Sequence, residues 1–357
     1  MKYLIQHTYS VLNPWYLIPN FLNYYIGRTP LNDKLRFGVG KQDERLFEKG
    51  QFDGTELTGI ITGIFRKNWQ FNKSRISAFK RGLVPIEALH ACTADSKFEK
   101  RSRADWNLNL WRDNDYTRNG IAATLYLAKD LIDEVPIVNF HMGKYRSEDV
   151  KFVVASLINN LRFAEEIAKQ EGIVITLEND YQKYEEEHAV GSDIDLIYGI
   201  MEEVNSPHVK VCYDWGHANV QAKWLFNKGG ISKKQLQSFA YHKKFIKKLG
   251  KHIAYSHLHY NTAHEIDNVS TESSIFYPST ERNGDLHMPL NRISEEDRTQ
   301  YIEILKLLRD KTLIPEYGKI MLELTRDKIF GLPFNKSGAN TQDALDSLKM
   351  VREIFEK

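Results

Sequence analysis

From about residue 80 onward, short apolar runs alternate with long amphipathic stretches, and this rhythm restricts the chain to a parallel α/β architecture. The runs are Val84–His90, Pro136–His141, Ile173–Glu178, Val209–Asp214, Ile253–His257 and Ile320–Glu323. Each is apolar or β-branched over most of its length, as strands covered on both faces are. Between them, Ser147–Gln170 carries Phe152, Val153, Leu157, Leu161, Ala164 and Ile167 at helical spacing, and Gly172 follows as a natural stop. Ser192–Val204, Ser232–Leu249, Ser294–Asp310 and Thr341–Phe355 repeat the pattern, each opening at a capping type of residue.

Six strand–helix units are visible in this way. A closed (β/α)8 TIM barrel needs two further strands from residues 1–80, and Lys2–His7 and Leu35–Gly40 are the candidates. The expected organisation is one barrel domain over residues 1–357, with long polar connections at about 91–120 and 260–284. Connections of that length are usually functional or mobile.

Composition removes several classes. The 49 basic and 47 acidic residues nearly cancel, and 42% of the chain is apolar, so neither a disordered chain nor a strongly basic nucleic-acid binder is expected. No run of about eighteen apolar residues offers a membrane span. The segment Met1–His7 is too short and polar for a signal peptide. Two cysteines, Cys92 and Cys212, cannot form a disulfide framework, and a reducing cytoplasm is the expected location.

The chemistry lies in how the strands end. His90, His141, Glu178, Asp214 (with His217), His257 and Glu323 each finish or directly follow one of the runs. Strand C-termini of a barrel converge on one face, so these side chains should share a pocket. Asp285 and His287, two apart, would point the same way from an extended segment, and Gly216 would permit a tight turn bringing Asp214 and His217 together. Three carboxylates in one barrel mouth require positive charge between them. Imidazole with carboxylate suits divalent zinc, manganese or iron.

These pieces are Leu89-His90-Ala91, Asn139-Phe140-His141-Met142-Gly143, Thr176-Leu177-Glu178-Asn179, Cys212-Tyr213-Asp214-Trp215-Gly216-His217-Ala218, Ser256-His257-Leu258-His259, Asp285-Leu286-His287 and Leu322-Glu323. In that order they resemble the xylose isomerase-like TIM barrel superfamily and, within it, the endonuclease IV-type (AP endonuclease family 2) metal site. The resemblance implies up to three divalent ions, zinc first, with manganese or iron as substitutes. One would be held by His90, His141 and Glu178. A second would be held by Glu178, Asp214, His257 and Glu323, and a third by His217, Asp285 and His287. The sugar isomerases of the superfamily use a single ion on the equivalents of Glu178, Asp214, His257 and Glu323.

With all nine positions filled, the leading expectation is a trinuclear phosphoesterase acting on a phosphorylated sugar or nucleic-acid-like substrate, with Glu178, Glu323 and His217 as catalytic residues. The alternatives are a single-metal sugar or sugar-phosphate isomerase or epimerase, in which Glu178 and Glu323 shuttle a proton, and a barrel retained only for binding. Two departures weigh against DNA as substrate. Thr93 and Ala94 stand where the repair enzymes carry a wedge, and Tyr260 replaces an expected acidic residue.

Lys144 and Tyr145, just past His141, are candidate substrate contacts. His259 is expected to turn away from His257 and to serve as support or as a substrate contact. His7 is not expected to reach the site, and His188, His208, His242, His252 and His264 are expected at the surface. The lysines between Lys233 and Lys251 read as a solvated helix face.

Overall fold

In a computed structural model of the chain, the described residues are 1–7, 52–57, 69, 71, 76, 85–91, 108–182, 185–262, 287–324, 328–329, 332–333 and 339–356. Eight parallel strands close a barrel. They are β1 Lys2–His7, β2 Gly54–Leu57, β3 Ile86–His90, β4 Ile137–His141, β5 Val174–Glu178, β6 Val209–Asp214, β7 Ile253–Leu258 and β8 Lys319–Leu322. Closure is made by β1, which pairs with β8 from Lys2↔Lys319 and with β2 from Leu4↔Gly54.

The second strand is therefore Gly54–Leu57. The segment Leu35–Gly40, expected in that position, lies outside the described residues. Four residues, one of them Glu56, are too few to show periodicity, and a buried carboxylate breaks the apolar run that marks the other strands.

Alternation along the strands separates two cores. Residues facing outward pack under the helices. Ala88, Ile137, Val174, Cys212, Tyr255 and Met321 face inward and form a separate cluster within the barrel. Because strand side chains repeat every two residues, the positions above this plug share its direction. His90, Asn139 with His141, Thr176 with Glu178, Asp214 and His257 thus rise toward the C-terminal mouth, and Glu323 follows directly on β8. Register then levels them: His141 lies opposite Glu178, and Asp214 opposite His257.

The outer layer contains α1 Asp115–Leu131, α2 Val150–Glu171, α3 Ile194–Val204, α4 Trp215–Asn227, α5 Lys233–Gln237, α6 Ala240–Leu249, α7 Glu295–Lys311, α8 Ile314–Tyr317 and α9 Thr341–Phe355. Their ends follow local chemistry. Asn114, Asp149, Asp193, Asp214, Ser232, Ser294 and Asn340 each accept a hydrogen bond from a first-turn amide. Gly172 closes α2 with φ 69°, the left-handed geometry that glycine tolerates best. The expected single helix Ser232–Leu249 is broken at Ser238–Phe239, where Phe239 takes φ 51° and buries its ring. Among the described residues no helix is long and apolar enough to cross a membrane.

Two histidines expected at the surface are not there. His252 is largely buried and bonds Glu202 at 3.0 Å. His242 is fully buried. It stacks on Trp215, and its Nδ1 shares a 2.6 Å hydrogen bond with the Tyr213 hydroxyl. Both sit in a stretch of charged helix whose composition masks its inward face. Burial pushes the His242 imidazole down to about 3. The folded state thus resists a proton that the unfolded chain accepts below about 6.5, so stability falls as pH drops from about 6.5 toward about 3. The slope contributed is up to about 1.4 kcal/mol per pH unit. Thermal melts at pH 7.5 and 5.0 check this: His242→Gln should lose less stability across that interval than the wild type. An equal loss would remove His242 as the cause.

Candidate metal centre

The chain delivers its polar side chains to the mouth in tiers. Thr176 Oγ1 donates to Asn139 Oδ1 at 2.9 Å, and Asn139 Nδ2 in turn donates to Glu178 Oε2. This inward-facing polar ladder fixes the Glu178 carboxylate, which is 1% exposed. Its two oxygens face different partners. Oε2 lies 3.2 Å from His90 Nε2 and 3.6 Å from His141 Nε2. Oε1 lies 3.2 Å from His217 Nδ1 and 3.6 Å from His257 Nδ1.

His257 sits at the middle of the arrangement. Its Nε2 faces Glu56 Oε2 at 3.1 Å, an oxygen that also accepts from the Tyr255 hydroxyl at 2.6 Å. A carboxylate can only accept, so Nε2 donates to Glu56 and Nδ1 is the edge turned toward the mouth. That nitrogen is ringed by Glu178 Oε1, Asp214 Oδ2 at 3.7 Å and Glu323 Oε2 at 3.2 Å. The four residues are buried, and their ligand atoms lie within 4.8 Å of one another.

Asp214 is held from several sides. Its backbone amide donates to Asn179 Oδ1, Asn179 Nδ2 donates back to its carbonyl, and Oδ1 caps α4 by accepting from the His217 amide at 2.6 Å. Asp214 Oδ2 and His257 Nδ1, both buried, have no hydrogen-bond partner. Buried polar atoms left this way are costly. Three oxygens and one imidazole nitrogen converging on the same space fit a divalent cation.

The electrostatics agree. Burial would raise the Glu178 carboxyl, but the imidazoles of His141, His257 and His217 outweigh it and hold it well below the usual range. Asp214 is held low in the same way, against burial, by His217, His259 and His257. The mouth therefore presents anionic carboxylates against neutral or cationic rings.

Of the nine expected ligands, eight lie among the described residues. His90, His141 and Glu178 form one gathered group, and Glu178, Asp214, His257 and Glu323 form another. Asp285 lies outside the described residues. His217 is turned to Glu178, and its Nδ1 also contacts the Asn179 carbonyl at 2.9 Å. His287 gathers instead with His259 and Glu323. Lys144 stands at the rim, 3.7 Å from Asp180 Oδ2. Tyr145 is turned to His188 across a two-residue antiparallel ladder. For His7 the strand is described but not the side chain.

Two expectations are corrected. His259 does not turn away from His257: residues two apart on extended backbone share a face, and its Nε2 reaches Asp214 Oδ1 at 3.2 Å. Gly216 does not make a turn but opens α4. Its lack of a side chain makes room for His259, whose Cε1 would stand 1.9 Å from an added Cβ.

Sequence reasoning also missed Glu56 and Asp180. Glu56 sits in the unrecognised β2. Asp180 is 4% exposed, and its Oδ2 lies 3.7 Å from both His141 Nδ1 and Lys144 Nζ. Its signal was present, since it stands two residues after Glu178.

Comparison with known proteins agrees with the fold. No curated protein matches the sequence. Among solved structures, a D-tagatose 3-epimerase-like protein is 20% identical, with a TM-score of 0.54 and coverage of 100% of this chain and 97% of that one. A D-psicose 3-epimerase determined with D-fructose is 14% identical, with a TM-score of 0.54 and 100% coverage of both chains. The D-psicose 3-epimerase of Clostridium cellulolyticum H10, determined with D-tagatose, is 12% identical, with a TM-score of 0.54 and 99% coverage of both. The family model described as xylose isomerase-like TIM barrel matches residues 67–353. With eight parallel strands closed and a carboxylate–imidazole cluster at their C-terminal ends, the chain belongs to the xylose isomerase-like TIM barrel family.

Proposed function

We propose that the chain is a divalent-metal-dependent epimerase or isomerase of a small ketose. The observation that carries this reading is the placement of Glu178 and Glu323 on either side of one imidazole nitrogen, 3.6 and 3.2 Å from His257 Nδ1. With Asp214 they would hold one cation, and the donor set suits manganese, iron or zinc. When bound, such an ion would supply Lewis acidity to a substrate carbonyl and so make the adjacent C–H bond more acidic. Glu178 removes that proton and Glu323 returns one to the other face of the same carbon, so the net change is inversion with no loss of atoms. His217, oriented by the Asn179 carbonyl, binds a substrate oxygen at the rim. Asp180 steadies Lys144 and His141.

Phosphoester hydrolysis, the leading expectation from the resemblance, has less support. It needs a third ion on His217, Asp285 and His287, and among the described residues His287 gathers with His259 and Glu323 while His217 turns to Glu178. The similarity to a D-tagatose 3-epimerase-like protein and to D-psicose 3-epimerases supports the ketose reading.

The test is proton exchange. Metal-loaded protein incubated in D2O with D-fructose, D-psicose or D-tagatose should place deuterium on the carbon beside the carbonyl and produce the epimer. Absence of deuterium in all three, together with cleavage of a phosphodiester or abasic-site DNA, would overturn the reading in favour of hydrolysis.

A further inference from the structure

Among the described residues, the carboxylates of the mouth pair with imidazoles, with one exception. Asp180 Oδ2 also faces an ammonium, Lys144 Nζ, at 3.7 Å. The backbone places both partners. Gly143 takes φ 99° and leaves room for Asn109, whose Oδ1 accepts from the Lys144 amide at 2.9 Å. Trp111 Nε1 donates to the Lys144 carbonyl at 3.0 Å. Asp180 donates its amide to the Gly191 carbonyl at 2.9 Å, and its Oδ1 accepts from the Tyr181 amide at 2.7 Å. A Cβ added at Gly191 would stand 2.7 Å from the Asp180 amide, so the glycine permits this approach.

Lys144 is partly exposed at the rim, and Asp180 beneath it is buried. At 3.7 Å the two attract by charge and do not hydrogen-bond. This leaves Asp180 Oδ2 without a hydrogen-bond partner and the Nζ protons available to a bound molecule. The ammonium stands one imidazole away from Glu178. The His141 ring lies between them, with Nδ1 3.7 Å from Asp180 Oδ2 and Nε2 3.6 Å from Glu178 Oε2. Lys144 Nζ also lies 5.8 Å over the Tyr181 ring, which packs on His217 at 5.1 Å. A ketose with its reacting carbon at Glu178 would lay the far end of its chain toward Lys144.

We propose that Lys144 donates to a hydroxyl oxygen of the ketose and that Asp180 determines specificity: by cancelling the ammonium charge, it makes the mouth select an uncharged sugar over its phosphate ester. The proposal rests on the ketose reading above. Charge balance supports it. Asp180 stays anionic against burial because Lys144 and His141 face it and hold its carboxyl well below the usual range. Asp180, Glu178, Asp214 and Glu323, set against one divalent ion, one ammonium and neutral imidazoles, leave excess negative charge. A phosphate dianion would add to that charge in a water-poor mouth. A lysine without its carboxylate is instead the point charge that phosphate recognition uses.

The test compares D-fructose with D-fructose 6-phosphate on the Mn²⁺-loaded full-length protein. Calorimetric titration gives Kd for each, and deuterium exchange reports turnover. The wild type should bind D-fructose more tightly than the ester. Asp180→Asn keeps the shape and removes the charge, and should shift the ratio of Kd values toward the ester by about tenfold or more. Lys144→Gln should weaken D-fructose binding by about tenfold with metal content unchanged, and in the Asp180→Asn background it should abolish the gain for the ester. Lys144 is partly exposed, so its variant decides the matter even where the buried Asp180 variant fails to fold. A wild type that prefers the ester overturns the proposal. So does an unmoved ratio in Asp180→Asn, or an unchanged D-fructose Kd in Lys144→Gln. Proton exchange without these shifts overturns the role of the pair and leaves the ketose reading standing. The shifts without proton exchange support the pair and overturn the epimerase reading, and a wild type that binds neither sugar overturns both.

Discussion

Under the proposed function, Glu178→Gln should lower ketose turnover by about 10²–10⁴-fold, the range lost when a positioned general base is removed. The substitution keeps the shape of the side chain but replaces one anionic oxygen by an amide. Around that carboxylate stand Asn139 Nδ2, His90, His141, His217 and His257. An amide nitrogen cannot accept from Asn139 Nδ2, and the variant also loses the charge that a cation in this space requires. Deuterium wash-in measured by NMR is the readout, with circular dichroism to verify that the barrel is intact. A folded variant exchanging protons within tenfold of the wild type would remove Glu178 from the reaction.

Glu56→Ala should weaken metal binding by about 10–100-fold although Glu56 is not one of the proposed ligands. Its Oε2 holds both the Tyr255 hydroxyl and His257 Nε2. Without it, the ring of His257 can rotate or change tautomer, and its Nδ1 lone pair no longer points at Glu178, Asp214 and Glu323. Both partners are fully buried, so the variant also loses about 1–3 kcal/mol for each donor left unmet. Glu56→Gln keeps an acceptor and should recover most of the metal affinity. Competition titration against a chelator measures the first effect and thermal unfolding the second. Equal affinity in wild type and Glu56→Ala would show that β2 does not support the centre.

Much of this architecture can be read from residue order. The strands β3 to β8 are apolar along their length because both faces are covered, and each delivers a polar residue at its C-terminal end, where the mouth begins. That is why His90, His141, Glu178, Asp214, His257 and Glu323 stand out before any coordinates are seen. Gly54–Leu57 escapes notice for the opposite reason. Its four residues include Glu56, which is tolerated inside the barrel because Tyr255 and His257 bond it, and a single sequence cannot reveal that compensation.

Other features depended on contacts between distant segments. Gly216 looks like a turn residue until the His259 ring is found against its Cα. His242 lies among Lys243, Lys244, Lys247 and Lys248, so its burial against Trp215 and Tyr213 is hidden by its neighbours. The lysines themselves behave as a solvated face, pairing with Glu303 and Asp195. The partner of His287 could not be read from spacing either, because it is the Tyr260–Met288 bridge that selects His259.

The most direct measurement is anomalous diffraction from crystals of the protein loaded with Mn²⁺, collected at the manganese edge. A peak enclosed by Glu178, Asp214, His257 and Glu323, with ligand distances of about 2.0–2.3 Å, is the outcome expected for a single buried divalent ion. Metal-replete crystals with no peak among these four residues, while the protein still exchanges the ketose proton, would contradict the account.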